Sequence, residues 1–334
     1  MNILFIILIN ICFFLYFILN GLLGKYSIMP CILIFCIGIV LYRIRYNQYL
    51  YTIPSEKIIL SEIQYVSLDI PKGKTMSFTE FITYPKQFFG KQISPFIFRT
   101  APFLFNELPL EIKRVLEHTI SLHPEYTQIY LDNKDCDSFV LRFYPHLFNE
   151  YDILIPGAFK ADLVRLMLLD YYGGVYNDIG HNYNKPLSTF LKKKDELVLV
   201  KDRKFFWHEL EGIHNAFMCS YEKHPIIKRM LIDCISNIKN RRIPITHLNI
   251  TGPQAIYESF YNYTKIVLHK KRQIYYYKNH RIRLLFLSEH ELKIEDIKNQ
   301  LIINTKFEGY NKIVYSSSVH YSELCRAGII YKTN

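Results

Sequence analysis

No charged side chain occurs between Met1 and Gly24, the chain has a single tryptophan (Trp207), and none of its seven cysteines forms a Cys-x-x-Cys pair. The cysteine pattern excludes a zinc ribbon: Cys12, Cys31 and Cys36 lie in apolar sequence, and Cys136, Cys219, Cys234 and Cys325 are scattered without zinc spacing. Small buried hydrophobes are the plainer role for them, and a disulfide among the last four is open only in an oxidising lumen. Zinc-finger and RNA-recognition motifs are absent, as is a clear basic stripe, which argues against nucleic acid as a partner. Acidic residues are also in deficit, 30 against 41 Lys and Arg, giving a net charge of +11. That balance favours phosphates, nucleotides or anionic lipid headgroups, although a basic surface with no dedicated partner accounts for it equally. No internal repeat or low-complexity tract stands out.

Two apolar runs open the chain. Ile3–Leu23 is long enough to span a bilayer. Lys25 comes next, then a shorter run, Ile28–Tyr42, closed by Arg43 and Arg45. The second run suits a tilted or thinned crossing or an interfacial segment. A cleaved signal peptide fits poorly, because there is no basic leader and the first run is too long. If both runs cross, Arg43 and Arg45 favour a cytosolic face for the downstream domain; a single anchor places that domain in the lumen. Residues 1–45 are therefore expected to be a membrane anchor of one or two spans. Residues 46–90, with Pro54, Pro71 and Pro85 and no long periodicity, read as a stem or lead-in. Residues 91–334, roughly 250 residues, suffice for one large domain.

Within that domain the apolar pattern switches repeatedly between strand and helix. Ile93–Thr100 reads as a core strand, 108–119 as a helix, Thr127–Leu131 as a second strand and 135–148 as helical. The stretch from Ala158 is the next helix, stopped by Gly173 and Gly174. Val175 and Tyr176 then form a strand that ends at Asp178. Further on, 197–200 and the segment entered through Gly212 read as strands, 225–238 as a helix, and 266–303 as added strands. This alternation predicts an α/β fold with a mostly parallel sheet and flanking helices. The triplets starting at Asn249 and Asn262 are glycosylation acceptors only if the domain is lumenal.

The helix, glycine stop and strand around 158–182 carry the chemistry. Asp162 and Arg165 share a helical face. Alone they are an ordinary surface ion pair worth about 0.3 kcal/mol; in a site, Asp162 takes sugar hydroxyls and Arg165 meets a diphosphate. Asp178 stands at a strand's carboxyl end, where open α/β sheets place ligands. A carboxylate there binds hydroxyls or a cation, or simply forms a turn. The two features together place both carboxylates at one crevice.

The blocks Gly157-Ala-Phe-Lys-Ala-Asp-Leu-Val-Arg165 and Tyr172-Gly-Gly-Val-Tyr-Asn-Asp178 resemble the core of the DXD-type sugar-binding glycosyltransferases, family 32, which includes yeast α-1,6-mannosyltransferases and inositolphosphoceramide mannosyltransferases. Segments near 93–100, 107–111 and 122–126, then Asn215-Ala-Phe and Thr251-Gly-Pro, extend the similarity over about residues 93–260. The resemblance implies a GT-A, Rossmann-like fold and an endomembrane (Golgi or ER type) location. It implies a GDP- or UDP-sugar donor, a glycan or glycolipid acceptor, and retention of configuration at the sugar carbon. It also implies Mn²⁺ or Mg²⁺. Asp162, Arg165, Tyr176, Asn177, Asp178 and Asn215 would contact the donor, with Asp162, Arg165 and Asp178 as the catalytic set. One departure is plain: the motif's second Asp is Gly180. A cation would then fall to Asp178 with His181 or Asn182, or with a C-terminal group such as His320, Ser322 or Glu323, unless the protein works without one or has lost turnover. A nucleotide-sugar-binding protein of the same fold is the alternative. A structural membrane protein that binds lipid headgroups is a third and leaves the central block unexplained. The C-terminal segment around His320 resembles the family's closing segment, without its Trp. Trp207 is read either as an acceptor-side residue or as core.

Overall fold

In the computed structural model of the chain, residues 69–202, 212–244, 246–288, 292–314 and 319–333 are described. Both apolar runs, the anchor, most of the lead-in and Trp207 lie outside the described residues. Among the described residues no helix is long and apolar enough to cross a membrane.

Eleven strands form one sheet: β1 (Lys74–Ser77), β2 (Phe96–Thr100), β3 (Thr127–Leu131), β4 (Gly174–Asn177), β5 (Asn182–Tyr183), β6 (Leu197–Lys201), β7 (Phe217–Ser220), β8 (Ile274–Tyr277), β9 (His280–Leu287), β10 (Lys293–Glu295) and β11 (Leu301–Asn304). Their order is β1-β3-β2-β4-β7-β6-β9-β10-β11-β5, with β8 paired to β9. The first four strands in this order pair in parallel, and so do β6 and β9. The remaining pairings are antiparallel. The mostly parallel sheet expected from the sequence is thus corrected to a mixed one. A parallel pair needs a crossover of a dozen or more residues. The strands from 274 onward are joined by turns far shorter than that, so they can only double back.

Helices fill the crossovers of the parallel part: α1 (Leu110–Leu122), α2 (Asn133–Phe143) and α3 (Gly157–Tyr172). α4 (Pro225–Lys239) and α5 (Pro253–Thr264) connect β7 to the later strands, and α6 (Tyr321–Arg326) lies near the C-terminus. Asp132, at the end of β3, caps α2 through a reciprocal box with Asp135. β1 lies within the stretch read as lead-in, yet it joins the sheet beside β3. Its four residues are too few to show an alternating pattern.

The central strands are buried on both faces, as a covered sheet requires. Phe96 and Phe98 of β2 enter the larger core, with α2, α3, α4 and α5. Ile97, between them, joins Val175, Val198, Phe217, Leu285 and Ile303 in a second cluster. α3 is the inner helix. Leu163, Val164, Leu166, Met167, Leu168 and Leu169 are all fully buried, so it has no single apolar stripe. Gly173 and Gly174 end it with φ of 67° and 92°. A Cβ at Gly173 would sit 2.6 Å from the Glu222 nitrogen, and one at Gly174 2.7 Å from the Phe96 oxygen. The left-handed backbone and the crowding both require glycine here.

Of the cysteines, Cys136, Cys219 and Cys234 are buried free thiols, and Cys325 is free and half-buried. Asn249 is only 3% exposed and Asn262 lies on the open face of α5, so only the second triplet is accessible to a glycan.

Candidate active site

The polar residues of α3, β4 and two loops converge where β2 and β4 end. α3 contributes Asp162 and Arg165, and β4 runs directly into Asp178. Asn215 precedes β7, which is antiparallel to β4 and therefore starts at the same end. The Asp178 amide donates to the Ala216 carbonyl (2.8 Å), which joins the two loops.

Asp162 is buried and bonded through both oxygens. Oδ1 accepts from Asn215 Nδ2 at 2.8 Å and lies 3.2 Å from Arg165 Nη2. Oδ2 accepts from the Thr251 hydroxyl at 2.9 Å. Burial raises the Asp162 pKa, against the pull of Arg165, Thr251 and Asn215. Gly252 and Pro253 bring α5 close behind this carboxylate: a Cβ at Gly252 would lie 3.5 Å from Oδ2.

Arg165 is the hinge of the arrangement. The same Nη2 that faces Asp162 lies 3.4 Å from Asp178 Oδ1. The guanidinium rests 4.7 Å above the ring of Tyr176, whose hydroxyl pairs with Thr100 Oγ1 at 2.8 Å. Burial opposes its charge, but Tyr176, Asp178 and Asp162 together hold its pKa above the ordinary value. Asp178 is the open member: its side chain is 34% exposed, whereas Arg165 is at 6%. Tyr176 and Asn177 are fully buried and Asn215 nearly so.

The loop after Asp178 is held from beneath. Arg99 of β2 is fully buried and donates to the carbonyls of Asp178 (3.0 Å), Ile179 (3.4 Å) and His181 (3.0 Å). Its other nitrogens reach Gln128 Oε1 and Thr119 Oγ1. Burial lowers its pKa to about 10, so it keeps its charge at neutral pH. His181 is buried, with Nδ1 2.6 Å from Asn177 Oδ1 and its ring stacked on His214 at 5.7 Å. Burial first, then His214, Arg99 and Arg165, push its pKa well down, so it is neutral.

Gly180 is packed shut. A Cβ there would meet the Tyr310 ring at 2.7 and 2.9 Å and the Thr305 carbonyl at 3.0 Å. Tyr310 in turn packs edge-on against Phe307 at 5.5 Å.

Residues 109–197 match the family model described as the glycosyltransferase sugar-binding region containing DXD motif. This segment belongs to the DXD-type sugar-binding glycosyltransferases. Among curated relatives, a mannosyl phosphorylinositol ceramide synthase of Saccharomyces cerevisiae is 28% identical over 155 residues, covering 45% of this chain and 38% of the relative. Inositol phosphoceramide mannosyltransferase 3 of Schizosaccharomyces pombe is 30% identical over 149 residues, covering 44% of this chain and 40% of the relative. The chain thus spans about two fifths of the length of these relatives. A solved structure, PaToxG Glycosyltransferase, overlaps 56% of this chain and 76% of its own at 19% identity. Its TM-score of 0.42 is too loose to assign a fold.

A DXD-type segment raises the matter of a divalent cation, and the residues present fit one poorly. The second motif carboxylate is Gly180, and its space is filled by Tyr310. Asp178, His181 and His320 are not brought together as a ligand set. His181 turns to Asn177, and His320 caps α6, its Nδ1 accepting from the Ser322 amide at 3.2 Å. Among the described residues the one carboxylate–histidine group of ligand spacing is Glu196, His224 and His280. It sits at the opposite end of β6 and β7. There His224 Nδ1 accepts the Ile226 N–H at 3.1 Å as the cap of α4, which leaves the ring proton on Nε2. While the cap is made, that nitrogen is a donor, and it is buried without a hydrogen-bond partner.

Arg99, Thr251 and Tyr310 were not read as site residues from the sequence. Thr251 had a signal, since Thr251-Gly-Pro follows the family's order. Arg99 lay inside the opening strand, where a buried cation looks like any strand residue.

Proposed function

We propose that the protein transfers a hexosyl group, with retention, from a nucleoside-diphosphate sugar (GDP- or UDP-linked) to a hydroxyl of a glycan or glycolipid at an endomembrane surface, on a GT-A-type domain. The observation that carries this reading is the Arg165 guanidinium held between buried Asp162 and half-open Asp178 at the strand ends. All three residues lie within the DXD-type segment. The names of the matched relatives support a mannosyl donor and an inositol phosphoceramide acceptor.

The chemistry comes from what the residues can hold. Asp162, locked by Asn215, Thr251 and Arg165, fixes the guanidinium rather than reaching freely for hydroxyls. Asp178 accepts from hydroxyls of the donor. As the bond from the sugar C1 to the phosphate oxygen breaks, negative charge grows on the departing diphosphate, and Arg165 faces that charge from a preorganised, largely dry position. The acceptor hydroxyl forms the new bond to C1 on the same face, and its proton passes to the leaving phosphate oxygen. A nucleoside diphosphate and the glycoside result. No further side chain is required as base.

The test is release of nucleoside diphosphate from a panel of GDP- and UDP-sugars, with and without inositol phosphoceramide. Asp178→Asn is expected to lower turnover by about 100-fold or more; full turnover in that variant removes Asp178 from the site. A second reading, a nucleotide-sugar-binding protein without turnover, is favoured by one observation, the closed position at Gly180. Tight binding with no release across the panel would select it.

A further inference from the structure

At the end of β4 the chain has rebuilt the charge of a cation-binding motif with its own side chains. Three observations converge. The first is steric: Gly180 lies under the Tyr310 ring and against the Thr305 carbonyl, so a carboxylate side chain does not fit there while that ring keeps its place. The second concerns the backbone. Three of the loop's carbonyls, those of Asp178, Ile179 and His181, point at the Arg99 guanidinium, and Asn182 Oδ1 is left as a buried acceptor without a hydrogen-bond partner. The third is charge. Arg99 has no carboxylate among its bonded partners, so its positive charge stays beneath the loop. Arg165 brings a second charge 3.4 Å from the single open carboxylate. A divalent ion beside Asp178 would face two guanidinium groups, Arg165, which Asp162 already pairs, and Arg99, which no carboxylate bonds; like charges at such range repel.

The segment that seals Gly180 also supplies a cation. Lys306 is next to Thr305 in the chain, its Nζ lies 5.5 Å from the Tyr310 ring centroid and it donates to Asn311 Oδ1 at 3.0 Å. It is exposed, on the chain segment that borders the loop.

We infer that this centre binds the diphosphate of its donor without a divalent cation, Arg165 and Lys306 meeting the phosphate charge over the buried guanidinium of Arg99. The inference rests on the sugar-nucleotide reading above and concerns how that ligand is held. Tyr310 is then a positioning residue: its ring excludes an ion from the second motif position and keeps the Lys306 segment against the loop.

The experiment is calorimetric titration of the full chain with UDP and with GDP, once in excess chelator and once with Mn²⁺. The expected result is binding of at least one nucleotide in both conditions, with affinities within about threefold. Lys306→Ala should weaken that binding by about tenfold in chelator, Lys306→Arg should restore it, and neither should move the thermal midpoint. Binding that vanishes in chelator and returns with Mn²⁺ would overturn the inference while leaving the sugar-nucleotide site standing. Equal affinity in the Lys306→Ala variant would overturn the role of Lys306. No binding of either nucleotide in either condition would overturn the sugar-nucleotide reading, and this inference with it.

Discussion

The two ends of β4, β6 and β7 each gather histidines and carboxylates, yet they differ in what those groups are committed to. At the Asp178 end, one carboxylate stays a third exposed beside a guanidinium that is itself fixed by a buried partner. At the other end, His280 Nδ1 lies 2.8 Å from Glu196 Oε2 and 3.1 Å from the Tyr221 hydroxyl, and His224 caps α4. The first cluster leaves charge facing outward with its geometry already set, as preorganised electrostatic catalysis requires. The second uses His280, Glu196 and His224 Nδ1 to hold strand ends and a helix, and leaves His224 Nε2 buried without a partner. Residue types alone would rank the second as the better metal site. Proton placement reverses that order.

The strongest way to break this contrast is to remove Arg165. Arg165→Met leaves Asp162 buried with only its neutral partners. Loss of one member of a buried ion pair costs about 3–5 kcal/mol. Chemical denaturation should show a loss of that order. A second substitution, Asp162→Asn, should recover part of it without recovering turnover. If Arg165→Met unfolds at the wild-type denaturant concentration, the buried pair is not what organises α3 against the site.

Gly180 tests the packing of the same end. Gly180→Ala puts a methyl group 2.7 Å from the Tyr310 ring, and overpacking of this kind costs about 1–3 kcal/mol. In the Tyr310→Ala background the same change should cost much less, since the opposing ring is gone. The coupling read from this double-mutant cycle is the measurement; strict additivity would mean that Tyr310 does not seal the loop.

The far end should reveal itself through pH. Burial, followed by the neighbouring His280 and Lys91, lowers the His224 pKa to about 3, against about 6.5 in an unfolded chain. Between those values the unfolded state binds the extra proton, so stability rises with pH across the window. The contribution is complete above pH about 6.5 and is lost progressively as pH falls toward about 3, at up to about 1.4 kcal/mol per pH unit. His224→Ser keeps a side-chain acceptor for the α4 cap and should flatten this slope, whatever it does to the absolute stability. An unchanged slope would assign the acid sensitivity elsewhere.

Much of the first cluster was legible because it is local. Helix, paired glycines and strand succeed one another from 157 to 178, so Asp162, Arg165 and Asp178 declare their relation through spacing alone. Asn215 and Thr251 were readable only as motifs in order; that both reach Asp162 is a tertiary fact. The Tyr310 ring over Gly180 was invisible, because nothing in the spacing of two distant residues records a contact. The antiparallel half of the sheet failed to show for another reason. Strands of three or four residues, such as β10 and β11, carry no alternation long enough to set direction. Arg99 gave no signal of its own: nothing in the spacing of a strand tells that its charge is fully buried among carbonyls.

The smallest effect expected is at Glu196. Its bond to His280 joins two side chains that are only 17% and 15% exposed. Glu196→Gln keeps an oxygen that accepts from the imidazole N–H, so the loss should stay below about 1 kcal/mol. Nucleotide binding and turnover should be unchanged, because the change lies at the opposite end of β6 and β7 from Asp178. Bound zinc in the purified wild-type chain, lost in Glu196→Gln, would show that this cluster holds a metal after all. It would mean that the His224 cap opens to free a nitrogen lone pair. A chain that carries no stoichiometric metal, and whose Glu196→Gln variant differs only slightly in stability, would place the histidines of this end with the packing.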